Sequence, residues 1–197
     1  MYTPELEEQV RQWAEARVPA KRWAHVCGVV EAADQLARRY APTQVLQARL
    51  AGWIHDAAKS LDDETLLQTA RAYDWPIIEI ERQVPDLLHG AVGYLLANEE
   101  FQFDDPQLAS ACTYHTTGAP NMASLDKVVL LADLIEPTRH YPNVERLRAL
   151  CQLDLDAALL FSMDFTLAYL IERHRLIDTR AVDCRNQLLA AGVHYES

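Results

Sequence analysis

The stretch Arg22-Trp23-Ala24-His25-Val26-Cys27-Gly28-Val29-Val30-Glu31-Ala32-Ala33-Asp34-Gln35-Leu36-Ala37-Arg38-Arg39-Tyr40 decides the fold class. Its apolar residues Trp23, Val26, Cys27, Val30, Ala33, Leu36, Ala37 and Tyr40 recur at steps of three and four, so one stripe of a helix faces a core. Val45, Leu46, Leu50, Trp53, Ile54 and Ala57 repeat the pattern in the next segment. The same periodicity predicts helices over about 63–73, 86–100, 106–115, 124–135, 144–151, 155–174 and 181–191. Alternating β-branched runs are scarce, and six glycines in the whole chain leave little room for a sheet. Asp105 before Pro106 reads as a helix cap followed by proline at the first helical position. Ser124 reads as a cap for the run Leu125, Val128, Val129, Ala132. Pro19, Pro76, Pro85, Pro120, Pro137 and Pro142 fall between the expected helices, where a missing N–H does least harm. With no repeat, low-complexity tract or linker, residues 1–197 read as one all-α helical bundle. Its motif-bearing core spans about 20–140, and C-terminal helices over about 144–191 pack on it.

The chain carries 29 acidic against 18 basic residues, a formal charge of −11. So acidic a surface repels a phosphate backbone and argues against nucleic-acid binding by general attraction. It leaves room for a small anionic substrate, given a metal and a few basic groups. Met1–Val18 is acidic and amphipathic rather than signal-like. No apolar run approaches the roughly 20 residues that span a bilayer. The four cysteines, Cys27, Cys112, Cys151 and Cys184, are scattered without a CxxC pair, as expected of reduced thiols in a cytoplasmic protein.

The chemistry concentrates in three places. Gly52-Trp53-Ile54-His55-Asp56-Ala57-Ala58-Lys59 contains an adjacent His-Asp pair, a mixed nitrogen and oxygen donor set that suits iron, manganese, cobalt or zinc. Upstream, His25 sits on an otherwise apolar helix. Downstream, Asp133 sits in the apolar run Val129-Leu130-Leu131-Ala132-Asp133-Leu134-Ile135-Glu136, where an unpartnered carboxylate would cost several kcal/mol. Read singly, His25 fits a core histidine, Asp133 a helix edge, and His55-Asp56 a surface pair. Read together, they form a set that one metal would satisfy. Lys59 follows Asp56 by three residues and Arg139 follows the Pro137 break. Either is an ordinary surface charge or a phosphate clamp.

The order His … His-Asp … Asp resembles the HD superfamily of metal-dependent phosphohydrolases. Leu88-His89-Gly90-Ala91-Val92-Gly93, Tyr114-His115-Thr116-Thr117-Gly118-Ala119-Pro120-Asn121-Met122 and Ala132-Asp133-Leu134-Ile135-Glu136-Pro137-Thr138-Arg139 extend the resemblance. They are similar to its bacterial symmetrical bis(5′-nucleosyl)-tetraphosphatases, which cut diadenosine tetraphosphate into two ADP. The resemblance implies an HD-domain helical bundle in which His25, His55, Asp56 and Asp133 ligate a divalent metal, iron foremost, with one or two ions. His89 and His115 would hold a second metal bridged through Asp56 or contact the substrate phosphates. Asp56, Lys59, His89 and His115 would carry the catalysis, with water activated by the metal. Arg22, Lys59, Thr116 and Arg139 would contact the nucleotide phosphates. Family members carry a Pro-Asp-Thr stretch where this chain has Ile177-Asp178-Thr179-Arg180-Ala181-Val182-Asp183-Cys184-Arg185-Asn186, and Thr179 is the residue it offers to the nucleoside. The partner is then a small dinucleoside polyphosphate or nucleotide, with neither nucleic acid nor membrane, and a homodimer is compatible. Two other readings are an HD-type nucleotidase acting on mononucleotides or nucleoside triphosphates, and a non-catalytic nucleotide-binding helical module.

Overall fold

The computed structural model describes residues 2–196, and among them eleven α-helices and no strand. The first is α1 (Pro4–Glu15), whose N-terminus is capped by the Thr3 hydroxyl accepting from Leu6 N. The centre is α2 (Ala20–Tyr40), which packs against α3 (Val45–Ile54) and α8 (Ser124–Ile135). The stripe expected on α2 is real: Val26, Val30, Ala33, Leu36 and Ala37 are buried. α8 buries Leu125 and every residue from Val128 to Ala132. Each such Leu or Val contributes about 1.5–3 kcal/mol by leaving water. That apolar anchorage fixes where the following Asp133 must sit.

Around this centre, α4 (Asp63–Ala72) and the short α5 (Glu79–Gln83) lead into α6 (His89–Phe101), which lies against α7 (Pro106–Tyr114). α7 packs in turn on α8 and α3. A small second core of Ala58, Leu66, Ala70, Leu88 and Val92 sits beneath this part, with Trp75 and Ile77 packed on it. The chain closes with α9 (Val144–Cys151), α10 (Leu155–Glu172) and α11 (Thr179–Ala190); α10 touches α8, α9 and α11. Among the described residues no helix is long and apolar enough to cross a membrane, and all four cysteines are free thiols.

Several sequence expectations need correction. The helix through Ala57 ends at Ile54, and residues 55–60 form successive turns, so Asp56 and Lys59 do not share a helix face. The segment expected as one helix over 86–100 starts with a 3-10 turn, Pro85–Leu88, and becomes α-helical at His89. Proline at the first position favours that tight turn, and the His89 ring then bonds back to the Asp86 carbonyl. Ser124 is the first helical residue rather than the cap. The exposed N–H of Ala123 is accepted instead by Asp126. α5 was not expected; it is a single turn closed by Glu81 accepting from Ile78 N. Asp105 caps α7 as expected, accepting from Gln107 and Leu108.

Candidate metal centre

Three of the four motif histidines are held by the same local device. His55 follows the last residue of α3, His115 follows the last of α7, and His89 opens α6. In each case the ring Nδ1 reaches the carbonyl three residues earlier: Gly52 O at 2.7 Å for His55, Cys112 O at 2.7 Å for His115, and Asp86 O for His89. A carbonyl only accepts, so Nδ1 carries the proton and Nε2 keeps its lone pair. His25, on α2, directs Nδ1 at Glu136 Oε1 at 3.0 Å, so Nε2 is the nitrogen left to face the carboxylates. Four Nε2 atoms therefore face one interior space. The rings run in a chain, with centroids 5.7 Å apart for His25–His55, 5.0 Å for His55–His115 and 4.9 Å for His115–His89.

Two carboxylates enter the same space. Asp56, 2% exposed, sets Oδ2 3.5 Å from both His25 Nε2 and His55 Nε2, and Oδ1 3.5 Å from His89 Nε2. Asp133 Oδ1 lies 3.1 Å from His25 Nε2. None of these contacts has the alignment of a hydrogen bond to His25 or His55, whose Nε2 atoms are buried without a partner. Buried polar nitrogens left unpaired beside ionised carboxylates cost free energy that a cation would offset. Two clusters have donor atoms mutually within 4.8 Å: His25, His55 and Asp133, and His55, Asp56 and His115. Imidazole with carboxylate is a donor chemistry suited to a divalent transition metal. The residues fit the group.

Electrostatics follow from this packing. Burial works to raise Asp56 and Asp133, yet the surrounding histidines, with Arg139 beside Asp133, hold both far below the usual carboxylate range. Burial works to lower His25, but Asp133, Asp56 and Glu136 carry it up to about 9. His115 is pushed down to about 3 by burial and then by His89 and His55, and His89 is lowered by burial and then by Lys59. Arg22 pairs with Asp56 Oδ2, while Arg139 donates to the Asp133 carbonyl at 2.8 Å and to Asp133 Oδ1 at 2.6 Å. Lys59 Nζ donates to Asp86 Oδ2 at 2.7 Å and lies 3.4 Å from His89 Nδ1.

All eleven residues expected from sequence can now be located. His25, His55, Asp56, Asp133, His89 and His115 come together; Arg22, Lys59, Arg139 and Thr116 rim them, the Thr116 hydroxyl 3.0 Å from His115 Nε2. Thr179 does not join them: it is exposed in the first turn of α11, which Asp178 caps by accepting from Arg180. Sequence reading missed Glu136. It is fully buried and accepts from His25, from Thr138 N and from the Thr138 hydroxyl. Its one signal was an acid between an apolar helix and a proline. Gly28 makes room for it, since a Cβ there would lie 2.6 Å from Glu136 Oε2.

Two cavities open beside the histidine chain, one next to His115 and the other at His25. One, of about 540 Å³, meets the site at Thr116 and has a largely apolar wall that includes Val84, Leu87, Leu170, Leu176 and Ala181. The other, of about 510 Å³, meets it at His25 and is lined by Lys21, Arg22, Arg139, His140 and Tyr141. Both fall within the size of ordinary small-ligand sites.

Comparison with known proteins agrees with this arrangement. The HD domain model matches residues 22–138, a span that contains all the converging donors. The chain is 35% identical to a symmetrical bis(5′-nucleosyl)-tetraphosphatase of Halalkalibacterium halodurans, over 85% of this chain and 89% of that protein. It is 34% identical to the Bacillus subtilis protein of the same name, over 78% and 82%. A crystal structure of a predicted HD superfamily hydrolase involved in NAD metabolism, from Clostridium acetobutylicum, superposes with a TM-score of 0.89 at 31% identity, covering 97% of this chain and 99% of that one. With the motif histidines and aspartates gathered at one centre inside the matched span, this chain belongs to the HD domain family.

Proposed function

We propose that the protein is a metal-dependent hydrolase that cuts diadenosine tetraphosphate symmetrically into two ADP. The observation that carries the hydrolase reading is the pair of buried, partnerless Nε2 atoms of His25 and His55 facing Asp56 and Asp133. The substrate reading draws on the tetraphosphatase relatives, whose matches extend over most of the chain and favour it over a mononucleotidase or a non-catalytic module. His25, His55, Asp56 and Asp133 would hold a divalent ion; iron is proposed, with manganese, cobalt and zinc sharing the donor preference. When bound, such an ion supplies a Lewis acid that makes water nucleophilic near neutral pH and polarises a phosphoryl oxygen.

The chain's own residues do the rest. His89 and His115 bring their Nε2 atoms to 3.1 Å with both Nδ1 atoms committed to carbonyls. Two lone pairs so placed call for a second cation or a shared proton. That arrangement supports a second ion next to Asp56 Oδ1 over direct donation to phosphate. Lys59, Arg139 and the Thr116 hydroxyl would neutralise and orient non-bridging oxygens, the main task in phosphoanhydride hydrolysis. The apolar cavity beyond Thr116 would take the nucleoside of the retained half. Water oxygen bonds to the second phosphorus from that nucleoside, and the bond from this phosphorus to the central bridging oxygen breaks. The bridging oxygen leaves with the other ADP, and two protons are released. Holding one half fixes which phosphorus is within about 3–3.5 Å of attack.

Asp56→Ala tests the reading. Asp56 faces His25, His55 and His89 at once, so the variant is expected to stay helical by circular dichroism yet purify without tightly bound metal and without hydrolysis. A full metal complement with wild-type turnover would reject the assignment.

A further inference from the structure

The site has two mouths of different chemistry, and the reading above uses only one. The cavity beyond Thr116 has a mainly apolar surface, with Thr117, Thr166, His174, Arg175 and Asp178 among its polar lining, and suits a base. The cavity beyond His25 instead gathers the cations Lys21, Arg22 and Arg139 beside the His140 imidazole. Three cations around one cleft are conspicuous in a chain of net charge −11. Arg22 and Arg139 are anchored on the Asp56 and Asp133 carboxylates, so their remaining N–H groups are aimed from the reacting centre into this cleft. Their side chains are 33% and 32% exposed. Lys21 and His140 are exposed and, among the described residues, have no acidic partner within 4.0 Å. Among the described residues the only acid lining the cleft is Glu136, which is buried and already taken by His25 and Thr138. Lys21 and Arg22 also occupy the first turn of α2, which has neither an acidic residue nor a side-chain cap. Cations in a first turn oppose the helix dipole, and an anion there offsets that cost.

We propose that this cleft receives the departing half of the substrate, and that it reads that half as a diphosphate rather than as a nucleoside. Lys21 and His140 are then binding residues for the terminal phosphates of the leaving group, beyond the four-ligand centre. Tyr141, stacked on Phe165 at 5.3 Å with its hydroxyl on the Leu134 carbonyl, fixes the far wall and has no free donor left for a base. The inference rests on the tetraphosphatase reading, because only a substrate with two phosphorylated halves needs both mouths. It makes the enzyme selective at one end and permissive at the other. A tetraphosphate carrying adenosine at one end and guanosine at the other is therefore cut into ADP and GDP.

The test uses the metal-loaded full chain with Lys21→Ala/His140→Ala and, separately, Lys21→Glu. Both residues are exposed and outside the core, so folding and metal content should match the wild type. The double variant should raise KM for diadenosine tetraphosphate about tenfold with kcat within about threefold, the pattern of lost uniform binding. Lys21→Glu should raise it further, and added salt should weaken the wild type more than the double variant. Inhibition by ADP, which occupies the apolar mouth, should change less than about twofold. The mixed adenosine–guanosine tetraphosphate should be turned over within about threefold of the diadenosine substrate, since discrimination requires contacts that differ between the two. KM within about twofold of wild type in both variants overturns the proposal, as do ADP inhibition moving in step with KM and a mixed substrate more than about tenfold poorer. A wild type that turns over no diadenosine tetraphosphate overturns the functional reading along with it; turnover with unchanged KM overturns this inference alone.

Discussion

Glu136→Gln isolates the contribution of a residue that meets the metal ligands through His25 and lies 3.8 Å from the Arg139 Nε at the rim. The carboxylate is fully buried and serves three donors: His25 Nδ1 at 3.0 Å, the Thr138 hydroxyl at 2.6 Å and Thr138 N at 2.6 Å. Glutamine keeps the volume but replaces one acceptor oxygen with an NH2 group. If the amide oxygen faces His25 and the hydroxyl, the NH2 meets Thr138 N–H; if it is flipped, the NH2 meets the His25 Nδ1 proton. Either orientation strands a buried donor, at a cost of about 1–3 kcal/mol of folding stability. Without the carboxylate, His25 is a weaker base and its tautomer is no longer fixed. Outer-shell losses of this kind lower metal affinity about 10–100-fold, or about 1.4–2.7 kcal/mol. The assay is metal titration against a competing chelator, paired with hydrolysis at saturating metal. Weakened binding with turnover largely restored by excess metal is the expected result. Unchanged metal affinity would refute the outer-shell role, and activity lost even at full metal occupancy would place Glu136 in the chemistry itself.

Gly90→Ala should disable His115, because a Cβ there would lie 2.1 Å from the Cys112 carbonyl oxygen and 2.9 Å from His115 Nδ1. Separating α6 from α7 by about 1 Å to relieve this should cost about 1–3 kcal/mol in thermal unfolding and about 100-fold in kcat/KM. Lys59→Ala breaks a partly exposed pair with Asp86 and should change stability by less than about 1 kcal/mol, while kcat/KM falls about 10–1,000-fold at unchanged metal content. The proton on His25 gives a pH signature in metal-free protein. Its folded pKa of about 9 exceeds the unfolded value, so its stabilisation is complete below about pH 6.5 and is lost as the pH rises through about 9. Urea unfolding of the metal-free chain should show that decline, amounting to about 3 kcal/mol at most. Metal affinity should run the other way and strengthen up to about pH 9 as the competing proton leaves.

Helical periodicity made most of the fold legible, because residues such as Val26, Val30 and Ala33 bury at the spacing that sequence displays. What it hid were the places where the chain departs from a helix to build the site. His55, His89 and His115 all sit at helix ends, where each ring captures a carbonyl three residues back. Periodicity continues through such ends, so the segments ran on to Ala57 in one case and back to Asp86 in the other. The site residues were legible as chemistry out of place: a histidine and an aspartate within apolar helices. Glu136 was not, since an acid beside a proline is ordinary and its burial depends on Gly28 of a distant helix. Lys21 and His140 were equally silent, two exposed side chains that the pairing of α2 with α8 brings to one cleft.

The most direct measurement is hydrolysis of diadenosine tetraphosphate by the metal-loaded protein in water enriched with heavy oxygen, with products separated by chromatography and weighed by mass spectrometry. ADP should be the sole nucleotide product, with one heavy oxygen for each pair of ADP molecules. AMP with ATP, or free phosphate, would contradict symmetrical cleavage at this site.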